Sequence, residues 1–145
     1  MPYEGLSISD FVFRLDRMRR RYIAAKLSPY GLRGSMPNLL LMLERHPGRL
    51  QDEAATRLAL DKGNATRMLG TLEELSYIRR ETYPLDRRRN CLYLTEKGQQ
   101  LIPQIHRVFD EWNESICSEM TQAERDNAMA LIQKLFEGAQ KNVEN

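Results

Sequence analysis

Hydrophobic residues in the first part of the chain recur at the spacing of an amphipathic helix. The apolar positions between residues 7 and 27 are three or four residues apart and therefore share one helical face; they are Ile8, Phe11, Leu15, Met18 and Tyr22. A second apolar helix is predicted to begin near Pro37, since proline is tolerated in the first helical turn. It is predicted to end at the turn sequence His46-Pro47-Gly48.

Two shorter helical segments follow this turn. The first covers residues 51–58, and Asp52 and Glu53 lie in its first turn, where the helix dipole favours acidic side chains. The second covers residues 62–75, with Asp61 as its predicted N-cap. Two helices of this size joined by a few residues are typical of a helix-turn-helix.

The pattern then changes to that of β-strands. Residues 78–83 and 90–94 are rich in strand-forming side chains, and residues 84–89 between them have the composition of a loop. Leu92 and Leu94 alternate with their neighbours, which predicts that one face of this strand packs inward. A helix-turn-helix followed by a β-hairpin is the layout of a winged helix-turn-helix.

Two long helices are predicted after the hairpin. Thr95 is the expected N-cap of the first, and Pro103 is expected to kink it. The apolar stripe of this helix comprises Leu101, Ile105, Val108, Trp112 and Ile116. Thr121 and Glu124 match a capping box and predict the start of the last helix. A small winged domain does not need its terminal helices for its core, so we expect them to pair with each other and with a second copy of the chain.

These elements predict a mainly α, α+β fold: a winged helix-turn-helix with long N- and C-terminal dimerisation helices. We expect an N-terminal dimerisation helix in residues 1–30, a winged helix-turn-helix lobe in residues 31–100 and C-terminal dimerisation helices in residues 101–145. A length of 145 residues suits one intertwined domain of this kind.

Charge is distributed unevenly, although the formal net charge is only +2. Residues 11–27 hold six basic residues and one acidic residue, and residues 62–89 hold seven basic and four acidic residues. Residues 110–145 hold eight acidic and three basic residues. A basic front and an acidic rear suggest a polyanionic partner, although a basic helix is also found as a plain solvated face.

The sequence lacks the patterns that are typical of several functional classes. The histidines, His46 and His106, are isolated, and Cys91 and Cys117 lie on distant elements, so neither a metal site nor a cofactor is expected. We expect Cys91 to pack within its strand. The P-loop, G-x-S-x-G and H-E-x-x-H motifs are absent, which argues against an enzyme. Without a signal peptide or an apolar run of roughly 20 residues, the expected location is cytoplasmic and away from membranes.

The central motifs resemble those of a known family. Asp-Arg-Arg followed by Leu-Thr-Glu-Lys-Gly within residues 86–98, and DKGNATRMLGTLEEL at residues 61–75, are similar to the wing and the recognition helix of MarR-type transcriptional regulators. The resemblance covers residues 32–101 at the level of motifs, whereas the flanking helices agree in pattern only. Departures occur at Ala54, where the family usually has leucine, and at Leu50, where a Ser or Thr cap is common.

This resemblance implies a homodimeric repressor that binds a pseudo-palindromic operator in double-stranded DNA and is released by a small aromatic or phenolic acid. The helix at residues 62–75 would enter a major groove with its N-terminal turns. The candidate contacts are Lys62, Gly63, Asn64, Thr66 and Arg67. Asn64 suits an adenine edge, Arg67 a guanine or a phosphate, and Gly63 a close approach to DNA. The alternative is that these are ordinary solvated residues at a helix start.

The tip of the hairpin crowds three arginines beside one aspartate. The family pattern Asp-x-Arg makes Arg88 the arginine that enters a minor groove, and a bidentate pair with Asp86 would hold its guanidinium in place. Arg87 and Arg89 then suit phosphates. A solvated run of charge is the alternative interpretation.

Three other arginines are weaker candidates. At most one of Arg79 and Arg80 is expected to face DNA, because neighbouring strand residues point to opposite faces. Arg17 is a candidate anchor for the carboxylate of an effector in a cleft beside the first helix. The alternative interpretation is that the arginines of the first helix are solvated, or that they pair with the acidic C-terminal helices of a second copy.

Two other functions stay open on the sequence alone. One is a winged-helix module for protein–protein contact without operator binding, which duplex binding with a steep salt dependence would exclude. The other is a small-molecule-binding or redox enzyme on an α+β scaffold, which no catalytic constellation supports.

Overall fold

Helices dominate the computed structural model, which describes residues 3–143. In chain order its elements are α1 (Ile8–Leu27), a 3-10 helix (Ser28–Tyr30), α2 (Met36–Arg45), β1 (Arg49–Leu50), α3 (Gln51–Arg57), α4 (Lys62–Glu74), β2 (Ile78–Thr82), β3 (Asn90–Leu94), α5 (Glu96–Ile116) and α6 (Gln122–Val143). The predicted mainly α winged helix-turn-helix is confirmed, and the element limits lie close to those expected from the sequence.

Local capping signals determine where several helices begin. Side-chain oxygens of Asp61, Thr95 and Thr121 accept backbone N–H groups in the first turns of α4, α5 and α6, as predicted. Glu124 completes the predicted capping box by accepting the backbone N–H of Thr121 at 2.8 Å. Ser7 caps α1 in a similar reciprocal arrangement. Each cap satisfies a backbone donor that the helix itself leaves unpaired.

The antiparallel sheet has the strand order β1-β3-β2 within the described residues. In the hairpin Ile78 pairs with Leu94, and the short β1 lies on the other side of β3. Because β3 is the central strand, both Cys91 and Leu92 are buried, which fits the packing role expected for Cys91. The sequence did not predict β1, since two residues are too few to show a periodic pattern.

One compact unit of the chain ends at Asp110, and its core is built from leucines of several elements. The largest fully buried side chains are Leu27, Leu32, Leu39, Leu40, Leu43, Leu72, Leu92, Ile105 and Val108. They come from α1, α2, α4, β3 and α5 and from the segment after α1. Leu101, Ile105 and Val108 of the predicted α5 stripe therefore face this core. Pro103 lies inside α5, which continues past it, and the expected kink stays a prediction.

Two helices each carry an apolar face that the single chain leaves exposed. On α1, Ile8, Phe11, Leu15 and Met18 are exposed although they form the predicted stripe. On α6, the second unit's long helix, the exposed apolar side chains are Met129, Leu131, Ile132, Leu135, Phe136 and Val143. Large exposed apolar surfaces of this kind mark interaction sites.

Membrane-spanning helices and candidate metal clusters are both absent from residues 3–143. None of the helices there combines the length and apolar character needed to cross a bilayer. The same residues contain no group of three or more His, Cys, Asp or Glu side chains able to hold a metal ion.

Candidate nucleic-acid interface

The N-terminal turns of α4 form an exposed polar surface. On the opposite side of the helix Ala65, Leu69 and Leu72 are buried and anchor it in the lobe. The five residues predicted to contact DNA from this helix are all exposed; they are Lys62, Gly63, Asn64, Thr66 and Arg67. The fold therefore presents these candidates together, on the outer side of the second helix of the helix-turn-helix.

Hydrogen bonds connect three side chains at the start of α4. Asp61 Oδ1 accepts the Asn64 backbone N–H at 2.8 Å, and Asp61 Oδ2 accepts Asn64 Nδ2 at 2.5 Å. Asn64 Oδ1 accepts Arg67 Nη2 at 2.5 Å. The pKa of the Asp61 carboxyl is lowered, chiefly by the hydrogen bond that it accepts from the backbone N–H of Asn64. Each polar end of the Asn64 amide thus has one partner inside the protein, and each keeps a second site for the adenine edge suggested by the sequence.

No neighbouring atom within the protein requires a glycine at position 63. A Cβ built there would lie 3.4 Å from Asp61 Oδ1 and 3.7 Å from Arg67 Nη1, which are ordinary contact distances. Thr66 is also partly committed, since its hydroxyl donates to the Lys62 carbonyl at 2.8 Å. A reason for glycine at position 63 therefore has to be sought outside the folded chain.

Asp86 and Arg88 form the predicted bidentate pair at the wing tip. Arg88 Nε donates to Asp86 Oδ1 at 3.1 Å, and Arg88 Nη2 donates to Asp86 Oδ2 at 3.3 Å. The Arg88 backbone N–H adds a third hydrogen bond to Oδ1 at 3.0 Å. The Arg88 guanidinium is the main cause that lowers the pKa of the Asp86 carboxyl, followed by this backbone donor. Although 90% of the Arg88 side chain is exposed, its orientation is set by Asp86.

Arg89 points to a different partner from Arg88. Its Nη2 donates to both carboxylate oxygens of Asp52 in α3, at 3.1 and 3.0 Å, and lies 4.0 Å from Glu53. Its guanidinium carbon is 5.8 Å from the centre of the Tyr83 ring. Arg87 is exposed. The sequence suggested phosphates as partners for both Arg87 and Arg89. It did not reveal the contact with Asp52, because Asp52 is 37 residues away and no local signal connects it to the wing.

At the base of the wing, Arg79 and Arg80 contact different elements. The guanidinium of Arg79 lies 4.5 Å from the centre of the Tyr93 ring on β3. Arg80 forms an ion pair with Glu73 of α4 and donates to Gln51 of α3 at 3.3 Å. These partners were also missed from the sequence, and whether either arginine faces DNA stays a prediction.

An open groove joins α4 to the wing. Its volume is about 450 Å³, and its lining residues are Gln51, Asp52, Ala55, Lys62, Ala65, Arg88, Arg89 and Asn90. Lys62 comes from the start of α4 and Arg88 from the wing tip, so the two predicted halves of the site share one open surface. An elongated polyanion could contact both halves without rearrangement of the fold.

The predicted effector anchor, Arg17, lies on the exposed side of α1. A small cavity between α1 and α2 is lined by Arg19 and Arg20, together with Asn38. Its volume of about 20 Å³ is far below that of a pocket for an aromatic acid. The role predicted for Arg17 therefore stays a prediction.

Comparison with known proteins identifies the family. The family model described as "MarR family" matches residues 30–89. The structure is similar to the crystal structure of MarR, with a TM-score of 0.87, 32% identity and coverage of 95% of this chain and 94% of that chain. It is also similar to CouR, described as a transcriptional repressor bound to a 23-mer DNA duplex, with a TM-score of 0.78, 28% identity and coverage of 92% of both chains.

A curated relative leads to the same conclusion. The HTH-type transcriptional regulator BilQ of Clostridium symbiosum (strain WAL-14163) is 27% identical over 114 residues, which are 79% of this chain and 79% of that protein. The match to MarR, at 32% identity, extends over nearly the whole of both chains. The helix-turn-helix, the wing and the matches agree, and the chain belongs to the MarR family of transcriptional regulators.

Proposed function

We propose that this chain is a homodimeric repressor that binds a pseudo-palindromic operator in double-stranded DNA. The observation that carries the proposal is the groove in which Lys62 of α4 and Arg88 of the wing line one open surface. CouR, which shares 28% identity with this chain, is a repressor bound to a DNA duplex, and this supports the proposal. Membership of the MarR family makes the chain a regulator and not an enzyme.

In this proposal α4 enters a major groove with its N-terminal turns, because that groove is wide enough for a helix. Lys62 and Thr66 contact phosphates or base edges, and Arg67 contacts a guanine or a phosphate. Asn64 is held by Asp61 and Arg67, and each of these hydrogen bonds uses only one of the two sites at its end of the amide. In this proposal Asn64 orients Arg67 with one side of its amide and offers the free donor and acceptor to an adenine edge.

The wing contacts the adjoining minor groove in this proposal. Arg88 enters the groove, where the concentrated negative potential attracts a guanidinium. Because Asp86 already orients Arg88 in the free protein, less side-chain freedom is lost on binding. The exposed Arg87 is available to contact a phosphate.

A second copy of the chain completes the proposed repressor. The exposed apolar faces of α1 and α6 are the surfaces that dimerisation would bury. A symmetric dimer would place its two α4 helices in successive major grooves about 34–36 Å apart. A small aromatic or phenolic acid would weaken operator binding by preferring a different separation of the lobes. Such a ligand needs a larger site than the cavity beside α1, and Arg17→Ala tests whether Arg17 anchors it.

Selection of bound duplexes from a random pool tests the proposed function. We expect enrichment of a pseudo-palindrome whose half-sites are about 10 base pairs apart. Affinity for the enriched duplex should fall steeply with salt, because several phosphates are neutralised on binding. Aromatic acids added to the complex would then identify an effector. Failure to bind any duplex at low salt would instead favour a module for protein–protein contact.

A further inference from the structure

Arg88 and Arg89 are adjacent, yet their side chains have opposite environments. Only 35% of the Arg89 side chain is exposed, against 90% for Arg88. Arg89 reaches back to α3, where one of its terminal nitrogens lies 3.0 and 3.1 Å from the two oxygens of Asp52. Glu53 lies 4.0 Å from the same nitrogen. We call Asp52, Glu53 and Arg89 together the wing clamp.

The backbone around Arg89 couples this side chain to the shape of the wing tip. The Tyr83 N–H donates to the Arg89 carbonyl at 2.8 Å, and the Arg89 N–H donates to the Asp86 carbonyl at 3.0 Å. Arg89 therefore closes the loop that carries Arg88. A carboxylate that fixes the position of Arg89 also restricts the position of this loop.

A second contact connects the base of the wing to the same turn of α3. Arg80 of β2 donates to Gln51 and forms an ion pair with Glu73. Gln51 and Asp52 are consecutive in the first turn of α3. The wing is therefore attached to this turn at two points, through Arg80 at its base and through Arg89 near its tip. The hairpin is also paired with β1, and these side-chain attachments further limit its rotation against the helices.

We infer that Asp52, assisted by Glu53, is a positioning residue for operator binding: through Arg89 it holds the wing against α3 and so sets the distance between Arg88 and the N-terminal turns of α4. The inference rests on the proposed function and replaces one expectation from the sequence, since Arg89 becomes a structural contact and not a phosphate ligand. The Arg89 guanidinium lowers the pKa of the Asp52 carboxyl, so the ion pair persists as the pH falls below the carboxyl's ordinary pKa.

Removal of the Asp52 charge has opposite expected effects on operator affinity, depending on whether Asp52 acts through its charge alone or by positioning the wing. An acid lining the groove repels DNA, so its removal should strengthen binding if charge alone matters. If Asp52 positions the wing, Asp52→Asn should weaken operator binding roughly three- to tenfold, as expected for the loss of one exposed but structurally coupled ion pair. Thermal unfolding of each variant shows whether the fold is retained.

Exchange of the two charges is the decisive experiment. Asp52→Arg and Arg89→Asp are each expected to weaken binding to the selected operator, and the double variant is expected to bind within about twofold of wild type because directly coupled effects are not additive. A phosphate ligand at position 89 predicts the reverse, namely a double variant as weak as Arg89→Asp. That result would overturn the inference, as would tighter binding by Asp52→Asn.

The salt dependence supplies a second readout with a matched control. Arg87→Gln removes an exposed arginine from the same loop and should reduce the salt slope by about one, as for the loss of one phosphate contact. Arg89→Gln should lower affinity and leave the slope unchanged; a slope reduced by one would contradict the clamp. If wild type binds no duplex at all, both proposals fail. If only the charge exchange fails, the operator-binding function stands without the clamp.

Discussion

The Arg88 guanidinium is held by a carboxylate that DNA would repel. Asp86 contributes both oxygens to the side chain and one of them also to the backbone of Arg88. The pKa of the Asp86 carboxyl is lowered in the folded protein. The stabilisation from the ion pair is therefore complete above the carboxyl's ordinary pKa, and it is lost as the pH falls through the lowered pKa. At neutral pH Arg88 is therefore presented in one orientation, which offsets the repulsion from the acid.

Asp86→Ala is predicted to weaken operator binding although it removes a negative charge. The expected loss is roughly two- to tenfold, since Arg88 must then be ordered on binding. Titration of the selected operator at fixed salt measures it. Glu74→Ala removes an exposed acid from the end of α4 and is the control, with unchanged or tighter binding expected. Tighter binding by Asp86→Ala would show that Asp86 is only tolerated near DNA.

Gly63→Ala is predicted to separate stability from DNA binding. The added methyl fits the free protein, so stability should stay constant or rise by up to about 1 kcal/mol from helix propensity. Operator binding should weaken, because the methyl would occupy space next to the DNA. Gly70→Ala is the matched control in the same helix, where a Cβ meets open space. Equal affinities for the two variants would rule out close approach at Gly63.

At the scale of elements, the start of α5 is fixed against the beginning of β2. The Thr95 N–H donates to the Tyr77 carbonyl at 3.0 Å, and Lys97 Nζ donates to the Leu75 carbonyl at 2.8 Å. A Cβ on Gly98 would lie well inside contact distance of the same Tyr77 carbonyl. The glycine thus allows α5 to begin directly behind the wing, which fixes the base of the hairpin.

Gly98→Ala is predicted to destabilise the protein by about 1–3 kcal/mol, because the methyl collides with backbone and not with a movable side chain. Chemical denaturation followed by circular dichroism measures the change in free energy of unfolding. Gly70→Ala again provides the control and is expected to be at least as stable as wild type. If Gly98→Ala unfolds at the wild-type midpoint, α5 does not begin as closely behind β2 as described.

At the scale of the whole molecule, the exposed apolar side chains of α1 and α6 require an explanation. Phe136 on α6 is 62% exposed and Phe13 on α1 is 70% exposed in the single chain. These helices begin at well-formed caps, so they do not depend on a partner to define their ends. Burial by a second copy would remove the apolar surface from water and join two DNA-contacting lobes in one molecule.

Phe136→Glu is predicted to dissociate the proposed dimer. An unpaired charge buried in an interface costs about 3 kcal/mol or more, which raises the dissociation constant by roughly a hundredfold. Sedimentation should then show monomers, and affinity for a two-site operator should fall more than affinity for a half-site. Ala130→Glu adds the same charge at an exposed position of α6 outside the apolar stripe, and it should leave the dimer intact. A dimer that survives Phe136→Glu would exclude this face of α6 as the interface.

The sequence by itself determined the order of the elements and most of their ends. Asp61, Thr95 and Thr121 cap helices through groups only three residues away, so short-range chemistry suffices to locate them. Asp86 and Arg88 are equally local, since they are two residues apart in one tight loop. Apolar periodicity likewise identified the exposed stripe on α1, because an uncovered stripe has the same spacing as a buried one.

Only the tertiary structure decided which charged side chains face outward. Arg87, Arg88 and Arg89 are chemically identical, and their environments differ because the fold brings Asp52 to Arg89 from 37 residues away. The contact between Arg80 and Gln51 likewise depends on the fold, because the two residues are far apart in the sequence. The short β1 is a strand only because it pairs with β3. An ion pair depends on separations of a few ångströms, whereas sequence periodicity specifies only the face of an element. The pattern of residues therefore identifies the candidate surface, and the packing of α3 against the wing leaves Arg87 and Arg88 exposed and Arg89 partly buried.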